Sequence, residues 1–309
     1  FSSRRRHTRF LYVSWARWTA LILVALTMFF GYMFVDVLSP LQNMLESTRG
    51  WSPTIFGLYG GSEFILNVCG FLLVAGIILD KMGVRFTGIL SASLMVLGAG
   101  IKFYGLSNYF YEGGFGYEFL NSFLTDIPAS AKLACLGFMI FGCGTEMAGV
   151  TVSRAIVKWF TGKELALAMG LEMAIARLGV FAVFSLSPWV ANWGGDPSVA
   201  RPVAVVGLLL CIGLLTYIAF SVMDFKLDRQ TEADTPIGET EEPFKVADLK
   251  NLFSSKTFLI VSALCVLYYS AIFPFQRFAT GMLESNLGIT NQQASDLSLI
   301  HISEPTRRR

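Results

Sequence analysis

Long apolar segments separated by short polar ones make up most of this chain. Seven of the apolar segments reach about 20 residues, the length that an α-helix needs to cross about 30 Å of hydrocarbon at about 1.5 Å per residue. The pattern predicts an all-α, polytopic membrane protein. The seven predicted spans are 18–38, 53–79, 87–106, 132–153, 165–190, 202–223 and 257–283.

The sixth and seventh predicted spans are separated by a longer, charged segment. Residues 224–255 contain prolines and many acidic residues, which predicts a cytoplasmic linker, with a short amphipathic surface helix at 246–253. Six spans, a linker and a further span are typical of a carrier built from two parallel six-helix halves. We therefore assign residues 10–223 to an N-terminal transmembrane domain and 256–297 to the first helix of a second one.

Both ends of the chain differ in amino-acid composition from the segment between them. Residues 1–9 and 298–309 are polar and basic, and we interpret both as non-native sequence resembling a sequencing adapter. We expect the chain to be a fragment of a longer, 12-helix protein. The first apolar run is long enough to span a membrane, which argues against a cleavable signal peptide.

The composition supports a lipid environment and excludes some functions. Hydrophobic residues make up 54% of the chain and charged residues 15%, a balance unlike that of water-soluble domains. The net charge is only +2 and the basic residues are scattered, which argues against a nucleic-acid partner. The five cysteines lie in apolar stretches without metal-ligand spacing, so we interpret them as small buried residues.

No catalytic set is visible in the sequence. The two histidines, His7 and His301, both lie in the terminal segments that we interpret as non-native. No Gly-Lys-Ser or Gly-Lys-Thr loop is present to hold the phosphates of ATP. We expect no enzyme activity, no cofactor and no metal.

Basic residues predict the orientation, because short cytoplasmic loops are enriched in lysine and arginine. The loops on the opposite side contain few basic residues, and one of them, 107–130, is acidic, aromatic and rich in glycine. The amino terminus is therefore predicted to face the cytoplasm. The basic residues on the predicted cytoplasmic side are Arg17, Lys81, Arg85, Arg154, Lys158 and Lys163.

A short motif lies in the loop between the second and third predicted spans. The segment GIILDKMGVR runs from Gly76 to Arg85 and resembles the signature loop of the major facilitator superfamily. Gly76 would permit close helix contact, Gly83 a tight turn, and Asp80 an interaction with a helix N-terminus or a basic partner across the domain interface. With Lys81 these residues form a predicted conformational latch. The alternative is an ordinary charged turn.

Five further segments narrow the resemblance to the lysosomal dipeptide-transporter branch of that superfamily. They are FGCGTEMA from Phe141, VKWFTGKELAL from Val157, MGL from Met169, IARLG from Ile175 and CVLYYSAIFPF from Cys265. Residues 107–130 are an extension outside this resemblance. The resemblance implies the major facilitator fold, uniport of dipeptides, a lysosomal membrane (or the cytoplasmic membrane of a prokaryote) and an accessory membrane subunit.

Two ionisable residues lie deep in predicted spans. Glu146 and Arg177 are each roughly 18 to 21 Å along their helices from the cytoplasmic residues Lys158 and Lys163, near the membrane midplane. A charge at this depth is costly without a partner, water or substrate. An acid and a base on adjacent helices suit the two ends of a zwitterion, and the resemblance implies that they hold the termini of a peptide. The alternative is a structural ion pair.

Other polar and aromatic residues in the spans are secondary candidates. Tyr268 and Tyr269 either line a substrate cavity or serve as packing residues or interfacial anchors. Glu172 is separated from Arg177 by about 500° of helical rotation, so the two side chains do not share a face. Three residues either line a cavity or form hydrogen bonds between helices, namely Asp36, Glu63 and Asn67.

These observations predict a secondary transporter that moves a small solute, such as a dipeptide or another zwitterion, by alternating access. Two alternatives stay open: a transporter of the same superfamily for an anion, a sugar or a drug, and a non-transporting membrane receptor or scaffold. A carboxylate at the midplane also leaves proton coupling open.

Overall fold

The chain folds as a bundle of long helices. The computed structural model describes the backbone of residues 2–160, 163–234 and 254–303 and the side chains of residues 15–160, 164–229 and 254–298. Every element assigned in these ranges is helical, which confirms the predicted fold class. The long helices are α1 Ser2–Val35, α4 Leu72–Leu106, α7 Ala129–Trp159, α8 Lys163–Ala191, α9 Ala200–Asp234 and α10 Lys256–Leu287. The short ones are α2 Gln42–Arg49, α3 Pro53–Leu66, α5 Asn108–Tyr111, α6 Tyr117–Asn121 and α11 Asn291–Ser303, with a 3-10 turn at Ser39–Leu41 and a π turn at Asn67–Phe71.

Within the described residues, six helical stretches are long and apolar enough to cross a membrane. All seven predicted spans lie in them, because Pro53–Leu106 contains the second and the third. A straight helix of these 54 residues would be about 80 Å long at about 1.5 Å per residue, far more than a bilayer. The helix is interrupted at Gly83, where φ is 74° and ψ is 174°.

Contacts with α7 show that the chain reverses direction near Gly83. Before it, Asn67 bonds the carbonyl of Gly142 at 3.3 Å and Asp80 pairs with Arg154. After it, Gly98 packs against Gly137, so the contacts return along α7 toward its start. The second and third predicted spans are therefore two antiparallel helices joined by a tight turn rather than by a loop.

Close contacts between helix backbones hold the bundle together. α4 packs against α7 and α9, while α1 packs against α8 and α9. A Cβ added at Gly98 would lie 2.5 Å from the carbonyl oxygen of Gly137 and from the backbone nitrogen of Phe141. Small residues permit this approach in a membrane, where lipid provides no hydrophobic drive between helices.

The end that carries Asp80, Arg154 and Asp224 is called the basic end here, and the opposite end is called the outer end, following the predicted orientation. At the basic end, α9 continues past residue 223 to Asp234, so the first part of the predicted linker is helical. Residues 235–253 of that linker, which include the predicted surface helix at 246–253, lie outside the described residues.

Helix α10 meets the six-helix bundle at the outer end. Phe278 packs against Phe56 with ring centroids 5.7 Å apart, and Gly281 lies against Gln42. Just beyond α10, the side-chain amide of Asn291 donates to the carbonyl of Pro40 at 2.7 Å. The contact between the first helix of the second half and the N-terminal half is thus concentrated at this end.

All five cysteines are free, and their predicted burial is wrong for two of them. Cys69 and Cys265 are exposed on the surface of the bundle, whereas Cys143 is buried. In a membrane protein an apolar residue outside the core meets lipid, so an apolar sequence context does not distinguish the core from the lipid-facing surface.

Candidate functional site

The centre of the candidate site is a cavity of about 420 Å³ between α8 and α10. Arg177 lines it from α8, and Tyr268, Tyr269 and Gln276 line it from α10. The ring of Tyr269 stacks on Phe273 at 5.2 Å and meets Tyr268 edge-on at 5.3 Å. The structure therefore brings three of the four predicted substrate residues to one cavity with an aromatic wall.

Tyr32 of α1 connects this cavity to the fourth residue. Its ring lies 5.4 Å from the guanidinium carbon of Arg177, and it is close enough to Glu146, Glu172 and Tyr269 to interact with them electrostatically. Glu146 is half-buried on α7 and Arg177 is exposed. The sequence analysis did not select Tyr32, because an aromatic residue in an apolar span carries no distinguishing signal.

No ion pair joins Glu146 to Arg177 among the side chains that the structure describes. The alternative of a mutually satisfied structural pair is thus not formed in this conformation. An acid and a base that face the same region without neutralising each other can engage opposite charges on one molecule.

The secondary polar candidates have different surroundings. Asn67 donates to the carbonyl of Gly142 on α7, so its contact is a hydrogen bond between helices. Asp36 and Glu63 are buried and face Arg277 of α10. Glu172 is buried on α8, without an ion pair among the described residues.

The two charged residues Asp80 and Arg85 of the predicted latch take part in a charged network at the basic end. Asp80 pairs with Arg154 of α7. Arg85 reaches Asp224 at 3.8 Å and Asp228 at 3.3 Å, both on α9. Three helices are thereby tied together at this end of the bundle.

Asp224 is the buried centre of this network, although it is predicted to begin the linker. Its side chain is 1% exposed, and its carboxylate accepts hydrogen bonds of 2.9 Å from the Trp159 indole and from Lys158. The sequence did contain a signal for this role. The predicted span 202–223 ends directly before Asp224, so an acid follows a membrane helix on the side where the predicted loops are basic.

Two details of the predicted latch need correction. A Cβ added at Gly76 would have no described neighbour within 4 Å, so this glycine makes no close helix contact in this conformation. The partner of Asp80, Arg154, lies in the same six-helix half rather than across a domain interface. The remaining charged residue of the predicted latch, Lys81, is exposed to the surroundings of the bundle.

Lys102 and Arg277 are buried cations outside the predicted set. Both are ionisable residues within predicted spans, so the rule that selected Glu146 and Arg177 would also have selected them. The ring centroids of Phe34, Tyr59 and Phe138 lie 4.3, 5.1 and 4.6 Å from the Lys102 ammonium nitrogen, an arrangement that stabilises a cation without water.

Comparison with known proteins identifies the family. The sequence matches the Major Facilitator Superfamily over residues 21–299. The chain belongs to the Major Facilitator Superfamily. This match confirms the predicted resemblance to the superfamily. With six helical stretches able to cross a bilayer in the described residues, this superfamily member is an integral, multi-pass membrane protein.

Curated relatives within the superfamily are lysosomal dipeptide transporters named MFSD1. The one from Bos taurus is 31% identical over 172 residues, covering 53% of this chain and 36% of the relative. The one from Gallus gallus is 32% identical over 170 residues, covering 53% and 38%. The one from Pongo abelii is 26% identical over 296 residues, covering 92% and 57%. The chain thus spans between about one third and somewhat more than half of the length of these relatives.

The turn at Gly83 leads to a prediction about the stability of the protein. Its φ of 74° and ψ of 174° are conformations that only glycine adopts readily. We expect Gly83→Ala to lower the stability of the full-length protein by about 1–3 kcal/mol, measured by thermal unfolding in detergent. Gly76→Ala is the matched control, since Gly76 has helical geometry and open space. Equal stability of the two variants would contradict this account of the turn.

Proposed function

We propose that the protein is a secondary transporter that carries a small zwitterion, such as a dipeptide, by alternating access. The observation that supports this proposal is the cavity between α8 and α10, where Arg177 faces the wall formed by Tyr268 and Tyr269. Membership of the Major Facilitator Superfamily supports transport, and the names of the relatives support a dipeptide substrate.

In this proposal Arg177 binds the carboxylate of the substrate and Glu146 binds its ammonium group. The ring of Tyr32 contacts Arg177 at 5.4 Å and lies within electrostatic range of Glu146, so it would border the substrate near its carboxylate. Guanidinium and carboxylate groups form short, charge-assisted hydrogen bonds that orient a ligand at both ends. Tyr268 and Tyr269 would enclose the part of the substrate between its termini.

The charged network at the basic end is the proposed latch. Asp80, Lys81, Gly83 and Arg85, with Gly76 at the start of the motif, lie where α4 turns back along α7. The bonds from Arg85 to α9 lie within the six-helix half, so they would hold its basic end together as a rigid unit while that half pivots between the two conformations.

The central prediction concerns transport by the full-length protein in liposomes. We expect Glu146→Gln and Arg177→Ala each to reduce dipeptide uptake at least tenfold, because losing one charge-assisted contact costs roughly 1.5–3 kcal/mol. Arg229→Ala is the control, since Arg229 is exposed and lies over Phe225 at the basic end. Unchanged uptake by either site variant would reject the assigned role.

Uptake assays in the same liposomes distinguish this proposal from the two alternative functions, a transporter of another solute and a receptor or scaffold. Competition by dipeptides but not by sugars, inorganic anions or drugs supports the zwitterion, and the opposite result indicates another solute of the superfamily. A receptor or scaffold would keep its activity after the basic loops are cross-linked, whereas a carrier would stop. A lysosomal location is a further proposal from the names of the relatives. Uniport and an accessory membrane subunit are proposals from the sequence resemblance alone, and pH-clamped liposomes test uniport against proton coupling.

A further inference from the structure

A buried site for a cation lies on the outer side of the bundle, next along α10 from Gln276 of the central cavity. Asp36 at the end of α1 and Glu63 of α3 are 8% and 3% exposed. The guanidinium of Arg277, from α10, lies 4.0 Å from a carboxylate oxygen of Asp36 and 3.5 Å from one of Glu63. One helix of the second half thus inserts its cation between two acids of the first half.

The first half is shaped to receive this side chain. A Cβ added at Gly60 would lie 2.7 Å from Cδ and 2.9 Å from Nη1 of Arg277. The absence of a side chain at Gly60 therefore forms a slot for the guanidinium. The ring of Phe138 closes the slot from α7, with its centroid 5.5 Å from the guanidinium carbon.

The contacts of Asp36 and Glu63 favour a removable ligand. Asp36 accepts a hydrogen bond from Ser39 at 2.9 Å, but the Oε2 atom of Glu63 and the Nη1 atom of Arg277 are buried without a hydrogen-bond partner. The basic groups within electrostatic range of Glu63 include Arg277 and Lys102. Lys102 belongs to α4, so it would stay near Glu63 if α10 moved away.

We propose that Asp36, Glu63 and Gly60 form a guanidinium-binding site that holds Arg277 when the outer end is closed and must release it for that end to open. Arg277 is then a tethered ligand that joins the two halves on the side opposite the latch. The inference rests on the proposed alternating access. It assigns no substrate contact to these residues, so the identity of the solute does not affect it.

The site can be tested by thiol labelling of the full-length protein in nanodiscs, where a maleimide reaches both sides. All native cysteines are first replaced, and Gln42→Cys is introduced as a reporter. Gln42 is 8% exposed and lies against Gly281 of α10, so its labelling reports separation of α10 at the outer end. No substrate is needed, and a failure of dipeptide transport would leave this readout intact.

We expect Arg277→Ala to label several-fold faster than the parent, because no side chain then ties α10 to the two acids. Gly60→Ala should also label faster, because its methyl group displaces Arg277. Gly61→Ala is the matched control, since a Cβ there has no described neighbour within 4 Å. It should label at the parental rate.

Parental labelling of Arg277→Ala would overturn the proposal, as would fast labelling of Gly61→Ala. Glu63→Gln keeps the size of the side chain and removes one acid. The cysteine at position 42 should also react faster in this variant. If Arg277→Ala does not fold, this variant shows whether the acids hold Arg277. Parental labelling of Glu63→Gln would equally reject the site.

Discussion

Gly98→Ala is expected to destabilise the bundle by about 3 kcal/mol, at the upper end of the cost of overpacking a core. The added methyl group would lie 2.5 Å from the backbone oxygen of Gly137 and the backbone nitrogen of Phe141. Neither atom can move away as a flexible side chain would, so α4 and α7 must separate. Thermal unfolding of the purified protein in detergent measures the effect.

Gly100→Ala is the control for this prediction. Gly100 lies on the same helix, two positions further along, and a Cβ there has no described neighbour within 4 Å. Both substitutions raise helix propensity equally, so the difference between them isolates the contact between helices. Equal unfolding temperatures would show that the close approach of α4 and α7 at Gly98 is not required for stability.

Asp224→Asn is the second substitution with a large expected effect, about 3–5 kcal/mol, the range for removing one partner of a buried charge pair. Asp224 is 1% exposed and accepts bonds from Lys158 and the Trp159 indole. An asparagine would direct an N–H donor at the Lys158 ammonium or at the indole N–H, and it would remove the buried negative charge, leaving the half-buried Asp228 as the acid that pairs with Lys158. Unfolding in mixed micelles gives the free energy.

Asp228→Asn is the matched control, because Asp228 shares the same cationic partners at 2.8 and 3.3 Å but its side chain is 31% exposed. Pairs that water can reach contribute about 0–1 kcal/mol. We expect Asp228→Asn to lie in that range. A loss as large as that of Asp224→Asn would mean that the number of acids, rather than burial, determines the stability of this end.

Much of the fold could be predicted because lipid constrains sequence so strongly. Each span must hide its backbone polar groups in a helix and present apolar side chains to hydrocarbon. The predicted spans therefore lie within the observed helices, including α7 and α8. Glu146 and Arg177 could be selected because a charge in this environment is costly and needs a reason.

Other parts of the site could not be predicted from single residues. In the sequence Tyr32 is one of many aromatic residues in apolar spans. Only its position beside Arg177 makes it part of the candidate site. Asp224 follows an apolar run and resembles the start of a linker, yet α9 continues and packs it against Trp159. Arg277 carried a signal in its span, but its partners on α1 and α3 are more than two hundred residues away in sequence.

The sequence by itself determined the number and place of the membrane helices, the basic end and the costly charges within the spans, because each follows from the local match between side chains and lipid. Only the tertiary structure decided which helices touch, that Gly83 reverses the chain along α7, and that Arg277 enters the slot at Gly60. These features depend on distances between residues far apart in the chain. A hydropathy pattern, which treats each segment alone, contains no information about them.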